Sequence, residues 1–333
     1  MAHISRRLVR LIGWAALLVA HANEDTIRLR SGLQMPANGL GTCCRKTAKG
    51  PPIVAATKAY LELGGRLLDT AMAYGNHADI GRGLRESGVP RDEVWITSKI
   101  SPSRAANYKQ CAKATADLLE ELGVAFVDLL LIHTPKLGEE KTVELWRCLV
   151  DAKARGQVRA IGVSNFNGPE IDALEKATGV APEVNQIQYH PWSSKEWHAT
   201  VAALKARGVV TTAYNSLGGS RFPGSHGDVL PKLAAAHGAT VPQLLLRWAL
   251  QKGCAVIPGS STPAHIAENL AAPAFALSAD EMRRIEDAPT PAGWWEGARG
   301  TTGPNKYADH EAVTAFHDAA KKDRRSRHKT EHR

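Results

Sequence analysis

The chain has 333 residues, of which 44% are hydrophobic and 23% charged, so it is long enough for one large domain or two ordinary ones with a full core. Its net charge of +9 suggests a nucleic-acid partner, but ten of the 42 basic residues lie in the first 22 and the last 13 positions. The rest of the chain is nearly neutral, which argues against nucleic acid as a partner of the folded body.

The first 22 residues are typical of a secretory signal peptide or an N-terminal anchor. Three arginines precede the apolar run 11–20, and Ala20-His21-Ala22 has the small-x-small pattern of a cleavage site. The run is too short for an ordinary transmembrane helix. We therefore expect cleavage, no stable membrane span afterwards, and a location in the secretory pathway or a derived organelle. A cytoplasmic location is the alternative.

The C-terminal extension, residues 301–333, ends in the basic sequence KKDRRSRHKTEHR, which predicts a solvated, disordered tail. Binding of this tail to an anionic surface stays open. The five cysteines are scattered, with no CxxC pair and no Cys/His spacing that would predict a metal site. They favour free thiols in a core built for reducing conditions, which conflicts with the signal-like N-terminus, and pairing of some of them in a lumenal protein is the alternative.

Residues 26–36 alternate around Ser31-Gly32 and predict a small hairpin. After it, short apolar runs alternate with stretches of helical period. The apolar runs are 39–42, 66–69, 94–100, 127–133, 160–165, 183–189, 209–215 and 255–260. The helical stretches are 52–63, 77–87, 103–122, 140–155, 168–177, 194–207, 240–252 and 263–271.

Eight strand–helix units predict an α/β fold of the (β/α)8 TIM barrel type within residues 23–300, because each parallel strand needs a crossover helix and eight units close the sheet. An open doubly wound sheet is the alternative, although no GxGxxG follows the first strand. The connection Gly218–Ala236 is long and rich in glycine and serine, as expected of a loop that covers a ligand. Past Ala288, a predicted C-terminal loop with Trp294 and Trp295 packs on the barrel wall or on a ligand.

Polar side chains lie at the carboxyl ends of all eight predicted strands, where barrel enzymes place their reactive groups. They are Thr42, Asp69 with Tyr74, Lys99, His133, Ser164-Asn165, Gln186, Tyr214 and Ser260. Each alone has an ordinary interpretation as a helix cap, a solvated strand end or a packed core residue. Their convergence on one face predicts a site.

Four of these residues suit the delivery of a proton by a phenol. The free pKa of tyrosine is about 10, and a lysine ammonium beside it would lower that pKa while a carboxylate holds the ammonium in place. A histidine can donate a hydrogen bond to a carbonyl oxygen. Tyr74, Lys99, Asp69 and His133 therefore suit the reduction of a ketone or aldehyde, in which oxygen gains a proton as carbon gains hydride.

The ordered segments GRLLDTAMAYGN, VWITSKISP, VDLLLIHTP, GQVRAIGVSNF, PEVNQIQYHPW, TTAYNSLGG and AVIPGSSTPAHIAENL resemble the successive signatures of the aldo-keto reductase superfamily. The likeness is to aldose and aldehyde reductases and to 2,5-diketo-gluconate reductases, and it runs from about Thr26 to about Ala288. It implies a (β/α)8 barrel, a nicotinamide cofactor bound without a Rossmann motif, a small-molecule carbonyl substrate and a monomer.

The resemblance also implies residue roles. Tyr74 would be the general acid, Lys99 and Asp69 would tune it, and His133 would orient the carbonyl. Ser164, Asn165 and Gln186 would hold the carboxamide of the cofactor and Tyr214 would stack on its ring. The rest of the expected cofactor site is formed by Gly41, Thr42, Asp69, Asn215, Ser216, Leu217, Ser260, His265, Glu268 and Asn269.

This chain departs from the family pattern at the last strand. The family sequence there is close to I-P-K-S, and its lysine and a following arginine bind the 2′-phosphate of NADPH. This chain has Gly259 and His265 at those two positions. Two lost charge-assisted contacts should cost several kcal/mol of discrimination, at about 1.5 to 3 kcal/mol each. We therefore expect NADPH as cofactor, with a preference relaxed toward NADH.

Substrate-pocket positions that are often aromatic in the family are Cys43 and Thr134 here. The mouth should be open or polar unless Trp192, Trp294 or Trp295 closes it, which favours small or polar carbonyls over steroids. Vicinal Cys43 and Cys44 could form a redox handle or simply pack. A second hypothesis, a non-catalytic cofactor-binding subunit that senses redox state or binds a partner, gives no reason for all four proposed catalytic groups.

Overall fold

Eight parallel strands close into a barrel in the computed structural model, which describes residues 26–218 and 228–288. The strands are β3 (Leu40–Gly41), β4 (Leu67–Asp69), β5 (Trp95–Ile100), β6 (Val127–Ile132), β7 (Val158–Ser164), β8 (Val184–Gln188), β9 (Val210–Tyr214) and β10 (Ala255–Val256). Each strand pairs with the next in sequence order. Closure comes from backbone hydrogen bonds of Gly39 to Val256 (2.8 Å) and Gly41 to Pro258 (3.1 Å). The predicted (β/α)8 barrel is confirmed.

A hairpin of β1 (Thr26–Arg28) and β2 (Gln34–Pro36) precedes the barrel, as predicted. Met35 is fully buried and joins the cluster of side chains that β4, β5, β6 and β7 contribute to the barrel interior. At the hairpin turn, the amide of Ser31 donates to Glu183 Oε2 (3.1 Å), directly before β8. The hairpin therefore lies at the amino ends of the strands, and the carboxyl ends remain for a site.

The helices connect the strands and continue past the last one. They are α1 (Pro51–Glu62), α2 (His77–Ser87), α3 (Tyr108–Leu122), α4 (Glu139–Ala154), α5 (Gly168–Thr178), α6 (Lys195–Ala206), α7 (Val229–Ala236), α8 (Val241–Gln251), α9 (Pro263–Leu270) and α10 (Ala279–Glu286). Helix α3 begins later than predicted because Asn107 caps it, accepting from the Gln110 amide.

Two helices were not predicted from the sequence. Helix α7 occupies the second half of the connection Gly218–Ala236, which the sequence indicated to be a loop throughout, and its Leu230 and Leu233 are buried. Helix α10 begins at a capping box of Ser278 and Glu281 and buries Ile285. Both helices are only eight residues long and are additional to the eight predicted strand–helix units, so the alternation of the barrel gives no signal for them.

The core lies between the sheet and the helix ring. All six residues of β5 and all six of β6 are buried, because a parallel strand in a closed barrel has side chains in the interior on one face and under helices on the other. Apolar residues of α3, α4 and α5 cover the outer face. This rigid sheet fixes the positions of the residues at the strand ends.

Four of the five cysteines form disulfides in the structure, so the expectation of free thiols is wrong for them. Cys111 on α3 and Cys148 on α4 are both fully buried and joined, with their Cα atoms 6.4 Å apart. The adjacent Cys43 and Cys44 are also joined. Cys254 is free and buried. The sequence could not show the pair on α3 and α4, because helix packing brings together residues 37 positions apart.

Several predicted features fall outside the described residues: the signal-like segment, most of the glycine-rich loop, Trp294, Trp295 and the basic tail. Within the described ranges, no helix combines the length and apolar character needed to cross a bilayer. Those ranges also contain no cluster of three or more His, Cys, Asp or Glu residues with the arrangement of a metal site.

The Cys111–Cys148 disulfide should stabilise the barrel, because it closes a loop of 37 positions in the unfolded chain. The chain-entropy model gives about 4 kcal/mol for such a loop. We expect replacement of both cysteines by alanine to lower Tm by roughly 5 to 15 °C, and reduction of the wild-type protein to have a similar effect. Alkylation of denatured, unreduced protein, read by mass spectrometry, should label Cys254 alone. Labelling of Cys111 and Cys148 would contradict the assignment.

Candidate active site

A fully buried lysine lies at the centre of the site. Lys99 Nζ on β5 donates to Asp69 Oδ1 (2.7 Å), to the backbone carbonyl of Thr70 (2.9 Å) and to the hydroxyl of Tyr74 (3.3 Å). Lys99 has no exposed surface and Asp69 is 2% exposed. Three acceptors around one ammonium satisfy all its donors, as a charge removed from water requires.

The parallel register produces this cluster. Asp69 ends β4 and pairs with Thr97 of β5, so that Lys99 lies two residues further along the neighbouring strand. Tyr74 comes back toward the strand end through a short 3₁₀ helix, Met72–Tyr74. Gly75 follows it with φ of +60°, a left-handed conformation that glycine adopts without cost.

The second carboxylate oxygen of Asp69 is also occupied. Gln186 Nε2 on β8 donates to Asp69 Oδ2 (2.7 Å) across the barrel. The sequence assigned Gln186 to the carboxamide of a cofactor, and in the structure its amide nitrogen holds the aspartate. Thr42 Oγ1 donates to the backbone carbonyl of Asp69 (2.8 Å) and fixes the strand end from the other side.

Asn76 is a positioning residue that the sequence analysis did not single out. Its side chain is buried, accepts from Thr70 Oγ1 (2.7 Å), and donates to the backbone carbonyls of Thr42 (3.2 Å) and Ala48 (3.0 Å). Asn76 thus joins the segment of Tyr74 to the loop after β3. The only signal in the sequence is its position two residues after Tyr74, which does not distinguish it from an ordinary cap.

His133 follows β6, and its amide donates to the carbonyl of Ile100 (3.0 Å). Its ring meets that of Tyr74 edge to face, with centroids 5.8 Å apart and an interplanar angle of 77°. Asn165 Nδ2 donates to the carbonyl of His133 (3.1 Å). The structure therefore brings together Asp69, Tyr74, Lys99 and His133, as the sequence predicted.

Burial dominates the electrostatics of the cluster. Burial raises the pKa of the Tyr74 phenol well above its usual value, and the Asp69 charge raises it further. Burial lowers the pKa of Lys99, against the opposing effect of the Asp69 carboxylate. The net shift of the Tyr74 pKa is upward, because burial, which the sequence argument left out when it considered the effect of Lys99, is the largest cause.

Three predicted cofactor residues form a second hydrogen-bonded group beside this cluster. Tyr214 donates to Asn165 Oδ1 (2.9 Å), and Ser164 Oγ donates to the carbonyl of Gln186 (2.8 Å). Asn165 and Asn215 have φ of +65° and +54°, uncommon for residues other than glycine. Such backbone conformations concentrate at functional sites, where the surrounding contacts hold them.

The remaining predicted cofactor residues lie at the ends of β3, β9 and β10. Ser216 is buried with its hydroxyl on the Ala213 carbonyl (2.7 Å), and Leu217 packs against the core. Gly41 passes so close to the next strand that a Cβ there would lie 2.4 Å from the Ile257 carbonyl oxygen. Glycine at position 41 therefore allows β3 to approach the end of β10 closely.

Beyond β10, Ser260 Oγ accepts from the Thr262 amide (3.0 Å) and His265 is exposed on α9. The side chain of Glu268 accepts from the Thr240 hydroxyl, and the carbonyl of Asn269 accepts from Asn38 Nδ2 (2.8 Å). Gly259 leaves space that the guanidinium of Arg45 fills. Sequence reasoning did not name Arg45, because it belongs to the loop after β3 and no local pattern relates it to β10.

Three of the predicted substrate residues, Cys43, Thr134 and Trp192, belong to the described part of the chain. Thr134 is buried directly after His133, and Cys43 is half-buried after Thr42. Trp192 Nε1 donates to the carbonyl of Ala288 (3.2 Å), which ties the loop after β8 to the end of the described chain. Trp295 lies outside the described residues.

The site has the donor set of a reductase, and comparison with known proteins agrees. The model of the Aldo/keto reductase family matches residues 51–289, well over half of the chain. The chain belongs to the aldo/keto reductase family. As a member of it, the chain is an NAD(P)H-dependent oxidoreductase that acts on carbonyl groups.

Relatives of this aldo/keto reductase have different named substrates. Morphine 6-dehydrogenase of Pseudomonas putida is 35% identical over 275 residues, which are 79% of this chain and 91% of that protein. The 2,5-diketo-D-gluconic acid reductase B of a Corynebacterium is 38% identical over 267 residues, 79% and 92% of the two chains. A solved aldo-keto reductase of Bombyx mori in complex with NADP superposes with a TM-score of 0.72, at 29% identity, over 78% of this chain and 91% of that one.

The residues of this aldo/keto reductase fit a nicotinamide cofactor. Amide and hydroxyl groups of Asn165, Gln186 and Ser164 lie within one hydrogen-bonded group, and Tyr214 adds an aromatic ring beside them. Arg45 adds a cation whose Nε is buried without a hydrogen-bond partner in the described residues. Amides and hydroxyls suit a carboxamide, and an unpaired guanidinium suits a phosphate.

The Asp69–Lys99 pair gives a stability test. Asp69→Ala leaves the Lys99 ammonium buried without its carboxylate, so we expect a loss of about 3 to 5 kcal/mol in the free energy of unfolding. The double variant Asp69→Ala, Lys99→Met removes both charges and should recover part of that loss. Urea unfolding of the two single variants, the double variant and the wild type measures the coupling. Strictly additive losses would contradict a buried, paired ammonium.

Proposed function

We propose that this aldo/keto reductase reduces aldehydes or ketones to alcohols with Tyr74 as the proton donor. One observation carries the proposal: a single buried ammonium, that of Lys99, contacts both the phenol of Tyr74 and the carboxylate of Asp69. The ring of His133 lies at the edge of the same phenol. A bound nicotinamide cofactor supplies the hydride.

Each side chain has a separate part in the proposal. Tyr74 gives its proton to the substrate oxygen as negative charge develops there, and His133 donates a hydrogen bond that orients the same oxygen. Lys99 stabilises the phenolate left after transfer, and Asp69 keeps Lys99 charged and in place. Gln186 and Thr42 hold Asp69, so they act on the phenol only through Asp69 and Lys99.

The raised pKa of Tyr74 determines how each reaction direction responds to pH. Reduction uses the protonated phenol, which is present at every pH below that raised pKa. Alcohol oxidation uses the phenolate, whose fraction grows as pH approaches the pKa from below. Reduction should therefore be nearly constant from about pH 6 to about pH 9, while oxidation rises throughout that range.

Tyr74→Phe removes the phenolic hydroxyl, and with it the proposed proton donor, and leaves the aromatic ring. We expect kcat for aldehyde reduction to fall by about 100-fold or more, because general acid catalysis contributes about 10² to 10⁴, while the cofactor Kd changes little. Tyr108→Phe is the matched control, since its hydroxyl contacts Asp151 on the outer helices. Steady-state rates and cofactor titration give both quantities.

Wild-type rates in Tyr74→Phe would remove Tyr74 from the mechanism. Tight cofactor binding without turnover by the wild-type protein, over a broad panel of carbonyl compounds, would favour instead the non-catalytic binding subunit.

We further propose NADPH as the preferred cofactor, with a preference relaxed toward NADH. Gly259 and His265 replace the two cations that the family pattern has at these positions, and His265 is exposed on α9. The kcat/KM values with the two cofactors, measured on one aldehyde, should differ by less than about a thousandfold, or roughly 4 kcal/mol. A larger preference for NADPH would show that the missing cations are fully replaced.

The substrate we propose is a small or polar carbonyl compound, such as a short aldehyde, a 2-oxoaldehyde or a keto-sugar. Buried Thr134 and half-buried Cys43 take positions that are often aromatic in the family. The likeness to a 2,5-diketo-D-gluconic acid reductase supports a polar substrate. A spectrophotometric panel that ranks such compounds against steroids by kcat/KM tests this, and a steroid at the top of the ranking would overturn it.

For location we propose the secretory pathway or a derived organelle, with a cytoplasmic location as the alternative, and a monomeric protein. The buried Cys111–Cys148 disulfide supports the first, because such bonds persist in oxidising compartments. N-terminal sequencing of the mature protein should begin at Asn23, and light scattering should give the mass of one chain. An N-terminal segment that is still present in the mature protein would contradict cleavage and favour an uncleaved anchor or the cytoplasmic alternative.

A further inference from the structure

Arg45 folds back over the end of the barrel. It lies in the loop between β3 and α1, and its Nη2 donates to the carbonyl of Gly41 (3.2 Å). A Cβ built on Gly259 would lie 1.7 Å from Arg45 Nη1 and 2.8 Å from Cζ. The guanidinium therefore occupies the space in which a side chain at position 259 would begin.

Two groups leave no space for a side chain at position 259, the guanidinium of Arg45 and the backbone carbonyl of Gly41. The φ angle of Gly259 lies outside the left-handed region, so the backbone conformation by itself does not require glycine. Position 259 is exposed at the carboxyl end of β10, and a Cβ there would also lie 2.9 Å from the Gly41 carbonyl oxygen. Glycine at this position makes room for the cation that comes from the other strand.

Arg45 is a cation without an anion in the described part of the chain. It forms no ion pair with the carboxylates described there, and its Nε is buried with no hydrogen-bond partner. Burial lowers the pKa of its guanidinium, which reports the cost of removing that charge from water. A half-buried guanidinium with one carbonyl acceptor leaves several N–H donors for an anionic ligand.

Arg45 lies beside residues that the family resemblance assigns to the adenosine end of the cofactor. Ser260 follows Gly259 and is buried, and helix α9 starts at Pro263 with no side chain capping its first turn. Glu268 and Asn269 of the expected adenine side lie on the same helix. The nicotinamide side, with Asn165 and Tyr214, belongs to β7 and β9.

We propose that Arg45 binds the 2′-phosphate of NADPH, as a cation supplied by the loop after β3 to the place left open by Gly259. The proposal rests on the use of a nicotinamide cofactor proposed above. A guanidinium can bind a phosphate through two parallel hydrogen bonds, which an ammonium cannot. One arginine in place of two cations should keep a preference for NADPH over NADH but make that preference smaller. This agrees with the relaxed preference expected from Gly259 and His265.

The first experiment compares cofactor affinities of Arg45→Met and the wild type. Kd is measured by quenching of protein fluorescence for NADPH, NADH, 2′,5′-ADP and 5′-AMP. Arg45→Met should weaken the binding of NADPH and 2′,5′-ADP by about 10- to 100-fold. The affinities for NADH and 5′-AMP should change by less than about threefold. Lys46→Met, which removes the neighbouring exposed charge, is the matched control and should leave all four affinities nearly unchanged.

The second experiment moves the cation. Gly259→Ala keeps Arg45 but displaces its guanidinium, so it should weaken NADPH about as much as Arg45→Met does. Arg45→Met, Gly259→Lys places an ammonium at position 259 and should restore at least part of the NADPH affinity. Circular dichroism and Tm confirm that each variant is folded, and Gly259→Ala tests the contact even if Arg45→Met does not fold.

Equal weakening of NADH and NADPH in Arg45→Met would overturn the proposal and place Arg45 at the pyrophosphate. Unchanged affinities for all four ligands would overturn it as well. Both outcomes concern cofactor affinity alone, and Tyr74→Phe tests the proposed reaction separately. Failure of the wild-type protein to bind either cofactor would refute the proposed function itself.

Discussion

The charge of Lys99 is the constraint on which the rest of the site depends. An ammonium with no exposed surface is stable only if acceptors surround it, and Asp69, Thr70 and Tyr74 supply them. These contacts fix the phenol and the carboxylate relative to each other without any ligand. The carboxylate is fixed in turn by Gln186, from the opposite side of the barrel. The geometry that the proposed proton transfer needs is thus part of the stability of the fold.

The barrel makes this arrangement possible because its parallel strands all end on one side. Residues that are 117 positions apart, such as Asp69 and Gln186, become neighbours there. The hairpin at the opposite end buries Met35 among the interior side chains and leaves the carboxyl ends for ligands. Uncommon backbone conformations at Asn165 and Asn215 occur on the same side. The sheet therefore provides rigidity, and the loops that follow its strands provide chemistry.

Two features of this chain differ from what its local patterns suggest. The cysteines are spaced as if unpaired, yet helix packing brings Cys111 and Cys148 together in the core. The last strand lacks the cation expected there, yet Arg45 places a guanidinium over Gly259 from a loop on the neighbouring strand. In both cases the two partners are far apart in sequence. Contacts of this kind follow from the closure of the barrel and from the packing of its outer helices.

The sequence by itself determined the fold class, the hairpin, the eight strands and the residues Asp69, Tyr74, Lys99 and His133, because each strand is a short apolar run that ends in a polar group. Only the tertiary structure decided the hydrogen bond of Gln186 to Asp69, the role of Asn76 beside Tyr74 and the position of Arg45. It also showed that burial raises the pKa of Tyr74, an effect that the sequence argument left out because burial of the phenol cannot be judged from residue types alone. Periodicity is a property of neighbours along the chain, whereas hydrogen-bond partners and desolvation depend on distances that exist only after the barrel closes.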